Sequence, residues 1–228
     1  MRTVGIVTGI AAGTVTRDVA RGQACLFGGL ALCVALRPEG LGANSGMSYY
    51  GVHWLTVWPY AAGLAGAGLF THRVLRRAAP RTPSPVRVRR MADSFVFLLA
   101  GLVLTPYTLG GLVDWTHRAL GAALFVLQLV LAVRLVAWAH GDALGVVLFL
   151  VQLGGGVLAA VYVLQAEGLL IHGEATFQLG FALVLVRTLP LVAAHPPTPD
   201  LATPDPPAPD LAAHPAPTPS SPPCGERA

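Results

Sequence analysis

Residues 94–113 carry no charged side chain, and further uncharged apolar runs begin at Leu55, Ala119, Ala143 and Ala175. A hydrocarbon slab about 30 Å thick takes about 20 helical residues to cross. Inside it each segment must satisfy its own backbone N–H and C=O groups, which makes the α-helix the form such runs adopt. Several runs of this kind in 228 residues leave little chain for a water-soluble core. Composition agrees. Charged residues make up 11% of the chain, against about a quarter in a soluble domain.

The expected fold is therefore all-α, a polytopic transmembrane helical bundle of six spans at 22–36, 55–71, 94–113, 117–139, 143–166 and 175–194. This divides the chain into an N-terminal segment 1–21, a transmembrane domain 22–194 and a tail 195–228. The first span is short, about 22 Å at 1.5 Å per residue. Arg21 and Arg37 bracket it and can snorkel to the two interfaces; a re-entrant or interfacial segment is the alternative. Thr105-Pro106 predicts a kink in the third helix, because proline removes a backbone hydrogen bond and crowds the preceding turn. From His195 onward Pro, Ala, Thr and Asp dominate, with a near-repeat of Pro-Asp-Leu-Ala at 199–202 and 209–212. That tail is expected to be disordered, since it buries too little apolar surface to offset its ordering entropy.

Charge fixes the expected orientation. Arg2, Arg17 and Arg21 precede the first span, and seven arginines (73, 76, 77, 81, 87, 89 and 90) lie after the second. The loops at 37–54, 114–116 and 167–174 hold only Arg37 among Lys and Arg residues. Short basic loops stay in the cytoplasm, so both termini and the arginine-rich connector are expected there, in a cell membrane. Cleavage of residues 1–22 as a signal peptide would turn the connector outward against this rule. Trp54, Trp58 and Trp115, with Tyr49 and Tyr50, then gather at the outer interface and Trp138 at the inner one, as aromatic belts do. The net charge of +4 and pI near 9.3 follow from the same arginines. They read as a topology signal and not as a nucleic-acid surface.

Few residues offer chemistry. The acidic residues before the tail (Asp18, Glu39, Asp93, Asp114, Asp142, Glu167 and Glu174) all fall outside the span centres. Ion-coupled transport commonly needs an ionisable group inside the membrane. Arg134 and Arg187 do lie within spans, about 10 Å deep by helical rise. They either snorkel to phosphates or converge on an anionic lipid headgroup, which arginine forks fit well. His53 and His72 are about 28 Å apart along one span, and His117 and His140 about 34 Å apart along another. Those positions are too peripheral for a pair of bundle haems. His53, Asp114, His117, His172 and Glu174 share the outer face and include zinc-type donors, yet HExxH and GxSxG are absent. Cys25 and Cys33 read as packing residues, and no CxxC occurs. Gln128, Gln152, Gln165 and Gln178, with the small residues Ala62, Gly63, Gly66, Ala67 and Gly154 to Gly156, suit helix–helix contact or a neutral pathway. No cofactor, metal or catalytic group is expected.

One stretch is distinctive: Leu36-Arg37-Pro38, then Asn44-Ser45-Gly46-Met47-Ser48-Tyr49-Tyr50-Gly51-Val52-His53, then Val57-Trp58-Pro59-Tyr60. It resembles a family of uncharacterised six-helix bacterial membrane proteins that are distantly similar to DRAM-type proteins. The resemblance runs to about residue 194 and implies an architecture without an established reaction. Glycines and Asn44-Ser45 make residues 40–51 a turn region, and Tyr49, Tyr50, His53 and Trp54 place amphipathic rings at the membrane surface. The expected function is a non-enzymatic membrane component binding lipid, another membrane protein or a second copy. Its expected contacts are Asn44, Ser45, Tyr49, Tyr50, His53 and Trp54 outside, and anionic headgroups at Arg134 and Arg187 inside. A small-solute transporter or channel is the alternative, and a metal-dependent hydrolase on the outer face the third.

Overall fold

The computed structural model describes residues 2–165 and 168–194; the tail expected at 195–228 lies outside them. Six long helices make up the bundle: α1 Arg2–Leu36, α2 Val57–Ala78, α3 Pro85–Leu104, α4 Gly111–Trp138, α5 Ala143–Gln165 and α6 Leu170–Ala194. Four contain segments long and apolar enough to cross a membrane, namely Gly13–Leu36 of α1 and the whole of α4, α5 and α6.

The sequence-based boundaries shift for identifiable reasons. The short segment expected at 22–36 is the end of a longer helix whose apolar part covers 24 residues. Two of its charges are paired: buried Asp18 holds Arg77 of α2 at 2.5 Å and Arg21 at 3.5 Å. The span expected at 94–113 is two elements. Pro106 has no N–H and disfavours helical backbone at the residue before it. Accordingly α3 ends at Leu104, a 3-10 turn follows at Tyr107–Leu109, and α4 begins after Gly110, whose φ is +121°. The proline terminates the helix and does not kink it. The arginine-rich connector is likewise helical. Only the 3-10 turn Ala79–Arg81 and the three residues 82–84 separate α2 from α3, so α2 and α3 each carry charged residues beside their apolar parts.

Two antiparallel pairs are drawn together by missing side chains. On α1 and α2, a Cβ at Gly29 would lie 2.6 Å from the Pro59 carbonyl oxygen, and one at Gly66 would lie 2.6 Å from Cys25 Cβ. On α5 and α6, a Cβ at Gly180 would lie 2.6 Å from Gln152 Cα, and one at Gly173 2.5 Å from the Ala159 nitrogen. Gly155 meets the Phe177 backbone even more closely. Gly154, one residue away, faces open space, and Ala62 is exposed on α2. The small residues therefore act by face.

Helix α6 is the hub, packing on α1, α4 and α5. Half of its span is buried, against 22% for that of α5. Phe177 stacks on Phe125 of α4 at 4.1 Å between ring centroids, and Phe181 lies 6.2 Å from Phe95 of α3. Gln128 and Gln178 exchange two amide hydrogen bonds, 3.1 and 3.3 Å, between α4 and α6. Gln152 is fully buried, and neither end of its amide has a partner among the described residues. Gln165 is exposed.

If backbone contact at these glycines holds the hairpin, a bulky residue at Gly155 is far worse than one at Gly154. Gly155→Leu is expected to cost more than the usual overpacking penalty of about 1–3 kcal/mol, and Gly154→Leu close to nothing. Thermal unfolding of the two variants in one detergent measures the difference; equal melting temperatures would refute this packing.

Candidate functional site

The chain between α1 and α2 folds over one end of the bundle as a cap. It contains two 3-10 helices, Pro38–Gly42 and Gly46–Val52. Chemistry at three points pins it. Glu174 on α6 accepts a 2.7 Å hydrogen bond from the Met47 N–H. This places its carboxylate directly under Gly46, where φ is +58° and a Cβ would collide with both oxygens. Only glycine satisfies the left-handed backbone and the close approach together. Thr56, fully buried, donates 2.8 Å to the Tyr50 carbonyl and closes the far end.

The third pin is Ser48 with His117 of α4, 2.8 Å from Oγ to Nε2. Its proton arrangement can be deduced. Thr105 gives its single hydroxyl proton to the Gly101 carbonyl at 2.7 Å, so it accepts from His117 Nδ1–H at 3.4 Å. His117 Nε2 is then bare, and the Ser48 hydroxyl donates to it. A hydroxyl donating to imidazole is half of a nucleophile–base arrangement. The adjoining space, bordered by Ser48, Tyr60, Pro106 and Tyr107, measures about 10 Å³, the room of about one water. What the geometry supplies is a clamp between the cap and the ends of α3 and α4.

A second cluster lies on the cap's surface. Arg37 donates to Glu39 at 2.6 Å and to His53 Nδ1 at 2.9 Å. Because arginine only donates, His53 carries its proton on Nε2. The Tyr49 ring packs against His53 at 4.4 Å and lies under the Arg37 guanidinium at 6.0 Å. Hydrogen bonds from its own backbone N–H and from Arg37 hold the Glu39 carboxyl below the usual range. Tyr50 turns the other way. It is fully buried, its hydroxyl has no partner among the described residues, and burial pushes the phenol up.

Of the expected contact residues, the structure thus brings Tyr49 and His53 together and buries Tyr50. Asn44 and Trp54 are exposed, Trp54 at 77%, and Ser45 precedes the second 3-10 helix without a side-chain cap bond. Arg37, Glu39 and Ser48 were not expected there, and Glu174, expected on this face only as a zinc-type donor, binds the cap's backbone instead. Gly46 and its neighbours marked the turn, but no local pattern links Met47 to a carboxylate 127 residues away.

The outer His/Asp/Glu group does not assemble. His53 is held by Arg37, His117 by Ser48, and Glu174 by Met47, while Asp114 accepts from Arg118 at 3.0 Å one turn on. His172 is exposed. Among the described residues no three His, Cys, Asp or Glu side chains are placed to hold a metal.

At the opposite end Arg187 forks onto Asp142, with contacts of 2.6, 2.9 and 3.1 Å. The anion it holds is the chain's own carboxylate. Arg134, half-buried on α4, has no ion-pair partner among the described residues. His72 and Arg76 share Asp93 at 2.9 and 3.5 Å.

Fold and site define a class: an all-helical polytopic bundle compatible with a membrane, with polar groups gathered at both ends. No protein-family model, curated protein or solved structure matches the chain.

Two outcomes follow from this geometry. Glu174→Ala leaves the Met47 N–H unpaired, a loss of about 1–3 kcal/mol. Amide hydrogen exchange across residues 44–52 is expected to accelerate roughly tenfold or more, and unchanged protection would show that the carboxylate does not hold the cap. Asp142 lies below the ordinary carboxylate range, chiefly through Arg187 and also through the Gly145 N–H. Its folded value is lower than its unfolded one, so the stabilisation is complete above about pH 4 and is lost as pH falls through the folded value. Asp142→Asn should lower the melting temperature at neutral pH and narrow its gap to the wild type in acid; a gap constant across pH would contradict the ion pair.

Proposed function

We propose that this chain is a non-enzymatic integral protein of the cell membrane, crossing it six times with both termini in the cytoplasm. Its role is to bind lipid or another membrane protein through the cap. The observation that supports this reading most is the cap's construction. Residues 46–56 are clamped from below by α4 and α6, while Trp54 and Trp58 stand 77% and 78% exposed. Ordering such a surface costs conformational entropy. A pre-formed surface meets a partner without that cost.

Helix packing supports the reading of six crossings. Along α1, residues 22, 25 and 29 face residues 70, 66 and 63 of α2, so α2 lies antiparallel beside a helix long and apolar enough to span. Helix α3 then joins α2 to α4, with Leu99 against Gly68 and Gly101 against Leu120. Its outward Phe97 and Leu104 are 72% and 78% exposed, as lipid-facing side chains are. Arginines at 73–90 belong on the cytoplasmic side by the positive-inside rule.

The transport alternative draws on the span glutamines, and two of those already bond each other. Purification of the full chain in mild detergent, with mass spectrometry of everything retained, tests the cap. Trp54→Ala/Trp58→Ala is expected to shed a co-purifying lipid or protein without changing the melting temperature. Identical retention would remove the cap from the proposal. A reporter fused near Arg81 should be accessible only from the cytoplasm.

A further inference from the structure

The seven arginines between 73 and 90 sit on a rigid helical hairpin. Buried Val74, Leu75, Ala78, Ala79, Val88 and Ala92 form its inner side. Buried Thr82 donates 2.8 Å to the Ala79 carbonyl and fixes the turn. All seven guanidinium-bearing residues face outward. Arg76 and Arg77 are paired with Asp93 and Asp18. Arg73, Arg81, Arg87, Arg89 and Arg90 have no ion pair among the described residues.

We infer that these five arginines form a docking face for the headgroups of anionic phospholipids in the adjoining leaflet. Two observations favour lipid over a soluble polyanion. First, the same helices expose apolar side chains close by: Leu69 is 52% exposed, four residues from Arg73, and Phe97 is 72% exposed, seven residues from Arg90. By helical rise those intervals are about 6 and 10 Å, so the guanidinium groups lie at the depth of a bilayer's phosphates. Second, Val86 is 60% exposed beside Arg87, giving this turn the mixed apolar and basic surface of an interfacial segment. Arginine forks match phosphate oxygens, and basic clusters beside a span attract anionic lipid. Of the two residues expected to meet anionic headgroups, Arg187 already holds Asp142, while Arg134 has no ion pair among the described residues.

The inference rests on the membrane reading proposed above, and its test separates the two. The full chain is reconstituted in vesicles of phosphatidylcholine mixed with phosphatidylglycerol, then re-extracted gently, and its retained lipids are measured by mass spectrometry. The wild type is expected to retain phosphatidylglycerol enriched over its share in the vesicle. Each arginine near an anionic surface contributes up to a factor of about 5. Enrichment should therefore fall about tenfold or more in Arg87→Gln/Arg89→Gln/Arg90→Gln, and less in Arg73→Gln/Arg81→Gln, the second variant guarding against misfolding of the first. Arg118→Gln at the cap end, where Asp114 already pairs the arginine, should leave enrichment unchanged. Undiminished enrichment in both hairpin variants overturns the inference, as does an equal loss in Arg118→Gln, or loss of the retained lipid to inorganic phosphate or to RNA added at matched ionic strength. Failure of the wild type to insert into vesicles overturns the membrane reading itself.

Discussion

Apolar helices in lipid gain little by hiding their apolar faces from each other, because the surrounding tails are equally apolar. Association must come from contact distance and from directional bonds. Here the contact distance is set by glycine. Gly155, Gly173 and Gly180 let α5 lie backbone to backbone against α6; Gly29 and Gly63 do the same for α1 and α2, and Gly66 makes room for the Cys25 side chain. The directional bond is the amide pair Gln128–Gln178 between α4 and α6. Since α6 takes part in both, its position determines where Glu174 sits, and Glu174 determines where the cap sits.

That dependence explains why the cap is ordered despite its composition. Residues 37–56 are rich in glycine and turn formers, and by themselves would fold weakly. Three bonds to distant elements compensate: Met47 to Glu174, Ser48 to His117, and the Cys33 thiol to the Thr56 carbonyl at 3.5 Å. Arg37 then ties the exit of α1 to Glu39 and His53. Each buried polar group at this end has been given a role in holding the chain, with the Tyr50 hydroxyl as an exception among the described residues.

The all-helical character and four apolar helices were legible from hydropathy, because length and apolarity are properties of contiguous sequence. The α5 boundary at Ala143 was read to the residue. Errors arose where a local rule met a tertiary partner. Charges at Arg17, Asp18 and Arg21 suggested a helix start near 22, yet Asp18 is neutralised by Arg77, 59 residues away. The lost hydrogen bond at Pro106 predicts a kink; with Gly110 four residues on, the chain instead leaves the helix. At the candidate site, Tyr49, His53 and Gly46 were visible as ring and turn residues. Glu174 was classed as a loop residue, since nothing in sequence announces a carboxylate buried beneath a backbone N–H. Arg187 was read as lipid-facing for the same reason, its partner Asp142 being 45 residues distant.

The two ends of the bundle treat charge in opposite ways, and this bears on where the protein can act. At the cap end Glu174, Ser48 and His117 are consumed by the fold, and Glu39 pairs with Arg37 on the surface. At the arginine end Asp18, Asp93 and Asp142 each take one or two arginines to lock helices together, and guanidinium groups remain over. Between the ends, Gln128, Gln152 and Gln178 supply neutral amides at the level where a fixed charge would be most expensive. The ionisable side chains of the bundle thus lie mainly toward its two ends. The cap end exposes Trp54 and Trp58 beside the paired charges of Arg37 and Glu39, and the hairpin exposes arginines without an ion pair among the described residues.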